Sequence, residues 1–488
     1  MSASLILIII LIYFSVLVLV SFLTGKKSGN KTFFTGDKQS RWYVIAFGMI
    51  GTSLSGVTFI SVPGMVRSID MTYMQTVLGF FCGYLFIAKV LLPLYYRLNL
   101  TSIYTYLHER IGKRAYKTGA SFFLLSRTIG AAVRLYLVAL ILQAFVFDPL
   151  GVPFYVNVVC NLLLIFLYTF GSGIKTIIWT DTLQAVCMIT MLVLIIRAIS
   201  IHLNLDFAGI VQVVSSHEHG RIFVFDDWHS KQNFFKQFFS GIFITIVMTG
   251  LDQDMMQKNL TCRSLKEAQK NMYSYGFAFI PINFLFLTLG VLLLVLAQQT
   301  GTVLPESGDQ ILPMFATNGM LGTPVLLFFT IGIIAASFAS ADSALAALTT
   351  SACIDILNIS KYPAEKAKSI RIATHLFITF VVVAIILIFK EINSKSVIDA
   401  IYTIASYTYG PLLGLYAFGM LTKRRTRDRF TPYICLASPL LAYLLSFCTE
   451  RWLGYKFGYE ILMINGLTTF VGLILFSYDY KRRSIFSK

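Results

Sequence analysis

Five charged residues stand inside long apolar stretches of this chain, where a charge is costly and therefore informative. Lys89 and Arg127 lie a few turns from the ends of their stretches and can reach a polar boundary along their stems. Arg134 is in the middle of 120–147, Asp181 follows Ile177-Ile178-Trp179-Thr180, and Asp342 is central in 323–355. Each must face a cavity, an ion or a partner charge, and a buried ion pair of Arg134 with Asp342 or Asp181 is one solution. Around Asp342 the run Ala335–Ala344 is dominated by small and hydroxyl residues. At about 100° per residue, Ala336, Ala339, Ser340 and Ser343 share a helix face with Asp342 at its flank. Such a face can serve close helix packing. It can also hold a cation, a use the carboxylate favours because hard cations take oxygen ligands. The stretch Phe47–Thr58 holds three glycines and four hydroxyl residues, which make poor helix. A helix unwound at mid-membrane exposes carbonyls and amides to ions and solutes. Tyr409-Gly410-Pro411 marks a second break, where a plain kink and a functional one both remain open.

The elements that must position these residues are membrane helices. Of 488 residues 56% are hydrophobic and 13% charged, and the mean hydropathy is +0.73. Soluble domains carry about 25% charged residues, so this composition excludes a soluble multidomain protein, a disordered chain, a disulfide scaffold and a coiled coil. The apolar runs are continuous rather than alternating, which excludes a barrel and leaves helices that satisfy their own backbone. At about 20 residues per span, thirteen spans are expected: 3–24, 42–66, 73–97, 120–147, 154–172, 176–199, 233–251, 273–298, 323–355, 371–389, 397–421, 432–449 and 459–478. The first basic residue, Lys26, follows the first apolar run. A signal peptide has the reverse order, so this run reads as a true span with its N-terminus outside. The loops then expected inside, 252–272 among them, hold 28 of the 40 Lys and Arg, a positive-inside bias. The C-terminal Tyr480-Lys481-Arg482-Arg483 falls inside as well. The expectation is a multi-pass protein of the plasma (inner) membrane, N-terminus outside and C-terminus cytoplasmic. The net charge of +17 follows from the same bias and calls for no nucleic acid. The seven cysteines are scattered without a CxxC, so neither disulfides nor a zinc site are expected. His202, His217, His219 and His229 lie in the loop 200–232, which reads as a solvated loop or a surface metal site.

Several motifs occur in order along the chain: Phe34-Thr35-Gly36-Asp37; Gly173–Gln184, containing Trp179-Thr180-Asp181; Asp252-Gln253 through Gln257, followed by Ser264–Ala268; the run 339–343; and Gly410-Pro411-Leu412-Leu413-Gly414. In these the chain resembles the sodium:solute symporter family from about Phe33 to the early 420s. The resemblance implies an all-α membrane fold with a leucine-transporter-type 5+5 inverted-repeat core, as one transporter domain over 1–488. Residues 1–24 form an extra helix, 42–199 the first repeat, 233–421 the second, and 432–478 two C-terminal helices. It implies sodium-coupled symport of a small solute by alternating access, with sodium as coupling ion, no further cofactor, and a monomer or weak homo-oligomer in the lipid bilayer. The family's common sodium site maps to the carbonyls of Gly51, Leu54 and Ala336 and to the hydroxyl positions Ala339 and Ser340. Ala339 departs from that pattern and removes one ligand. A second sodium site of some relatives maps to Asp181, Ser340, Asp342 and Ser343, and Asp342 there replaces a hydroxyl.

The resemblance further implies that the solute meets Ser53, Ser55 and Thr58 at the break and Arg134, with Gln75 and Phe243 as further pocket candidates. Sodium–sugar relatives carry Glu-Gln where this chain has Val57-Thr58, against a galactose-like mode. A central arginine suits a carboxylate, which it binds bidentately, so the expected solute is an organic anion such as an acidic sugar. Inorganic anions, neutral sugars, vitamins and amino acids are the alternatives, as is proton coupling through Asp181 or Asp342. One charge crossing ~100 mV is worth ~2.3 kcal/mol and a tenfold gradient about 1.4 kcal/mol. A second sodium would therefore raise the accumulation of an anion from about tenfold to several thousandfold. An enzyme is not expected: His108-Glu109, the nearest approach to a catalytic pair, lies in a basic loop without partners. A transporter-like sensor and an uncoupled channel are the remaining readings.

Overall fold

The computed structural model describes residues 3–24, 34, 38, 40–169, 173–392, 397–455 and 457–478. Thr35-Gly36-Asp37 and the basic cluster 480–483 lie outside these. Among the described residues, seven helices are long and apolar enough to cross a membrane. The number is eight when Phe234–Gly250 and Gln253–Asn259, bent by 69° at their junction, count as one span. Among the described residues, strand structure amounts to a two-residue ribbon, Arg425–Thr426 against Ser477–Tyr478, and an isolated bridge, Ser40 to Cys262.

In chain order the helices are α1 (Ala3–Thr24), α2 (Trp42–Ser53), α3 (Gly56–Ile69), α4 (Tyr73–Phe86), α5 (Lys113–Leu142), α6 (Phe154–Thr169), α7 (Gly173–His202) and α8 (Phe234–Thr245). They continue as α9 (Gln253–Asn259), α10 (Leu265–Thr300), α11 (Gly322–Ser351), α12 (Ala364–Ile392), α13 (Val397–Thr408), α14 (Gly410–Leu421), α15 (Thr431–Leu453) and α16 (Ile461–Leu475). The expected break in the second apolar stretch falls between α2 and α3. Leu54 (φ −82°, ψ 74°) and Ser55 (φ −72°, ψ 169°) leave the helical region there. The expected interruption at 409–411 separates α13 from α14, with Pro411 in the first turn of α14, where its missing N–H costs nothing.

α8 runs through a π-turn at Ile246–Gly250 and bends into α9. Asp252 caps that helix, accepting from the backbone N–H of Asp254 (2.9 Å) and Met255 (3.4 Å). Every residue of α9 is buried. Gln253 ties it to the 101–103 turn, and the Tyr104 hydroxyl donates to the Leu251 carbonyl at 2.9 Å. The stretch 252–259, counted with a cytoplasmic loop from its polarity, is therefore interior, and Lys258 belongs to the core. The outer helices show the opposite surface: α15 exposes Leu436, Leu440 and Leu444, one per turn, as a lipid-facing helix does.

Two close approaches fix the interior. A Cβ on Gly51 would overlap the Asp181 carbonyl, so α2 lies directly on the backbone of α7. α4 and α8 cross where a Cβ on Gly79 would overlap the Phe238 carbonyl and one on Gly241 the Thr76 carbonyl. Gly241→Ala should lower stability by about 1–3 kcal/mol through overpacking, read as a lower midpoint of thermal unfolding in detergent. An unchanged midpoint would show that the crossing can open without cost.

Candidate functional site

The centre of the molecule holds a chain of buried charges. The Lys258 ammonium lies 2.6 Å from Asp181 Oδ2, contacts the Thr52 hydroxyl and lies 3.9 Å from Asp254 Oδ1. Thr52 in turn donates to Asp181 Oδ2 at 2.9 Å. The Arg127 guanidinium is paired with Asp254 and lies 3.9 Å from Asp252 Oδ2, which also accepts from the Tyr409 hydroxyl at 2.6 Å. The Ser343 hydroxyl donates to Asp254, and its backbone N–H donates to Asp342 Oδ1 at 2.6 Å. Arg127, expected to snorkel to the membrane boundary, is instead 5% exposed and held by these carboxylates. Asp181 is paired with Lys258 rather than with Arg134.

The break stands at this network. A helix end leaves its last carbonyls without intrahelical partners, and Gly51 to Leu54 occupy that end of α2. The Ser340 hydroxyl donates to the Thr52 carbonyl at 3.0 Å, so α11 meets α2 at its unwound end. Ala336 and Ala339 are buried on the same helix.

Against the break lies a cavity of about 90 Å³, with Thr52 and Arg127 of the network in its wall. Ser53, Ser55, Thr58 and Arg134 all line it. Tyr84, Tyr275 and Tyr402 add hydroxyls that the sequence reading did not select. Tyr275 shares hydrogen bonds with Ser53 (2.6 Å) and Tyr84 (2.9 Å), and Tyr402 with Tyr73 (2.8 Å). Among the described residues no carboxylate oxygen lies within 4.0 Å of the Arg134 guanidinium.

Two pocket candidates lie elsewhere. Gln75 is fully buried and ties down the segment that leads into α8, donating to the Gln232 carbonyl (2.8 Å) and accepting from the Val224 N–H (3.0 Å). Phe243 sits on α8, but Ile244, Thr245, Met248 and Thr249 turn to the cavity, and one residue along a helix rotates the side chain by about 100°. Of the loop histidines, His219 pairs with Asp70 at 2.7 Å. Among the described residues no three His, Cys, Asp or Glu side chains gather as a metal centre.

The family model described as the sodium:solute symporter family matches residues 33–428. The chain belongs to that family. Its members are transporters rather than enzymes, and this sodium:solute symporter is a multi-pass helical membrane protein. It is similar to the sodium/sialic acid symporter NanT of Aliivibrio fischeri, 28% identical over 454 residues, covering 89% of this chain and 84% of that protein. It is also similar to the sodium-dependent multivitamin transporter of Oryctolagus cuniculus, 26% identical over 398 residues and covering 79% of this chain but 60% of that longer protein. The solved substrate-bound, outward-open state of a Na+-coupled sialic acid symporter superposes with a TM-score of 0.81 over 95% of each chain, at 20% identity. That likeness establishes the fold.

The network implies a strong dependence on its pairing. Lys258→Met leaves Asp181 buried without its partner and should cost about 3–5 kcal/mol. Adding Asp181→Asn should recover part of that loss, since it removes the orphaned charge. Thermal unfolding of the two single variants and the double variant measures the coupling. Strictly additive losses would mean that the pair does not act as a unit.

Proposed function

We propose that this symporter couples sodium to the uptake of a carboxylate-bearing solute, an acidic sugar such as a sialic acid. The observation that carries this reading is the Arg134 guanidinium: it lines the central cavity with no protein carboxylate within 4.0 Å among the described residues. A fork of N–H donors beside a cavity and unmatched by the protein is a seat for a carboxylate. The hydroxyls of Ser53, Ser55 and Thr58 face the same space and suit the rest of a polyhydroxylated molecule. The likeness to the sodium/sialic acid symporter NanT supports the same solute class.

The coupling ion is sodium. Its first site comprises the carbonyls of Gly51, Leu54 and Ala336 with the Ser340 hydroxyl, Ala339 contributing none. The 3.0 Å contact of Ser340 with the Thr52 carbonyl supports this by bringing α11 to the open end of α2. Asp181, Asp342, Ser340 and Ser343 form the second site, beside the Lys258 and Arg127 pairings. The core is the 5+5 inverted repeat within thirteen spans, the repeats at 42–199 and 233–421. Its N-terminus is outside and its C-terminus cytoplasmic, with the protein in the plasma membrane as a monomer or weak homo-oligomer.

The test is thermal stability of the purified protein in NaCl and in choline chloride against sialic acids, other carboxylates, neutral sugars and vitamins, since a ligand stabilises by mass action. A carboxylate that stabilises only with sodium is expected, and its methyl ester should not stabilise. Arg134→Lys should weaken the effect by roughly a hundredfold in half-saturating concentration, the scale of a buried charged hydrogen bond. Equal stabilisation in the two salts, or an ester as good as the acid, would contradict the reading.

A further inference from the structure

The segment 221–235, which leads into α8, has the polar residues of a solvated loop, yet much of what it exposes is aromatic. Phe223, Phe225 and Trp228 are 45%, 56% and 61% exposed. Phe235 and Phe239, one turn apart on α8, are 44% and 48% exposed. The rings form one surface. Phe225 lies 6.0 Å from Phe223 and 6.1 Å from Phe235, and Trp228 lies 6.0 Å from Phe235, between centroids. A contiguous apolar patch of this kind is rarely left open to water.

The segment is firmly held with these rings outward. Besides its bonds to Gln75 on α4, the Asn233 amide donates to the Asp227 carbonyl at 3.1 Å, and Gln237 of α8 donates to the Lys231 carbonyl at 2.7 Å. Gln237 also accepts from the Thr76 hydroxyl of α4. The segment therefore joins the ends of two helices whose further turns line the cavity.

Two observations say what covers the patch. Phe235 and Phe239 belong to the first turns of a spanning segment, so the patch continues the outer surface of that span. The lipid-facing row of α15 ends at Trp452, which is 76% exposed. Just beyond it, the Tyr455 ring lies 4.6 Å below the Lys236 ammonium of α8. The patch thus stands level with the end of a second lipid-facing helix. Exposed Asp226, Asp227, His229 and Lys231 are interleaved with the rings. Aromatic rings among charges suit neither the acyl interior nor bulk water. They suit the headgroup layer, where aromatic belts gather.

We propose that the segment 221–235 is seated in the interfacial layer of the bilayer. Phe225 and Trp228 lie against the upper acyl chains, and the charges stand among the headgroups. The seat does not depend on which ion or solute is carried.

The test is tryptophan fluorescence of the full-length protein in phosphatidylcholine vesicles. Trp42→Phe, Trp179→Phe and Trp452→Phe together leave Trp228 as the sole tryptophan. Its emission should be mostly lost with lipid brominated near the headgroup end of its acyl chains. It should be less affected by bromines near the methyl end, and little affected by iodide in the water on both sides. Thermal unfolding checks that the variant is folded. If it is not, the difference between the unaltered protein and Trp228→Phe gives the same readout. Quenching by iodide as free as that of tryptophan in solution would overturn the proposal in favour of a solvated loop. Emission untouched by iodide and by either lipid would overturn it in favour of a protein cover such as a second copy of this chain.

Discussion

An ammonium and a carboxylate 2.6 Å apart, with no solvent contact on either side, sit at the point where α2, α7 and α9 meet. Taking two charges out of water costs several kcal/mol per ion, and that cost is offset only while both partners and their hydrogen bonds stay in place. Lys258 can reach Asp181 only because α8 turns by 69° into α9. Asp181 can receive it only because Gly51 lets α2 rest on the backbone of α7 and so brings Thr52 within 2.9 Å. From Asp254 the same network passes to Arg127 on α5 and Ser343 on α11, and from Asp252 to Tyr409 at the α13–α14 break. Both helix interruptions thus border one set of charges.

This arrangement gives coupling a physical basis within the proposed function. At the α2–α3 break the Thr52 carbonyl meets Ser340 of α11 and the Thr52 hydroxyl meets Asp181, while Thr52 also lines the cavity. Ser53, Ser55 and Thr58 line the same cavity. In that reading, an ion held between α2 and α11 would fix the contact of Ser340 with the Thr52 carbonyl and with it the neighbouring hydroxyls of Ser53 and Ser55. The hydrogen bonds of Tyr275 with Ser53 and Tyr84 carry the same constraint across to α10 and α4.

Much of this was legible in the residues. The glycines and hydroxyls of 47–58 marked the break, since they form helix poorly wherever they stand. Arg134 was legible as a residue needing a cavity or a partner charge, and only the family resemblance favoured the cavity, whose wall it joins. Lys258 was not, because hydropathy counts assign a lysine in a polar stretch to a loop, and only the bend between α8 and α9 turns that stretch inward. The spacing of Asp254 and Lys258, four residues apart, was the available signal. Arg127 was misread for a related reason: its partners lie more than a hundred residues away and are brought to it by the same bend. Gln75 shows the converse limit, since a polar residue in a span looks the same whether it lines a cavity or ties down a loop.

The most direct measurement is the reversal potential of sialic-acid-dependent current in proteoliposomes carrying the purified protein, at set sodium and solute gradients. Two sodium ions with one carboxylate move one net positive charge. The current should therefore reverse at the potential set by that two-to-one ratio. Uptake that is independent of sodium, or electroneutral at one sodium per solute, would contradict the pairing of two cation sites with an anionic solute at Arg134.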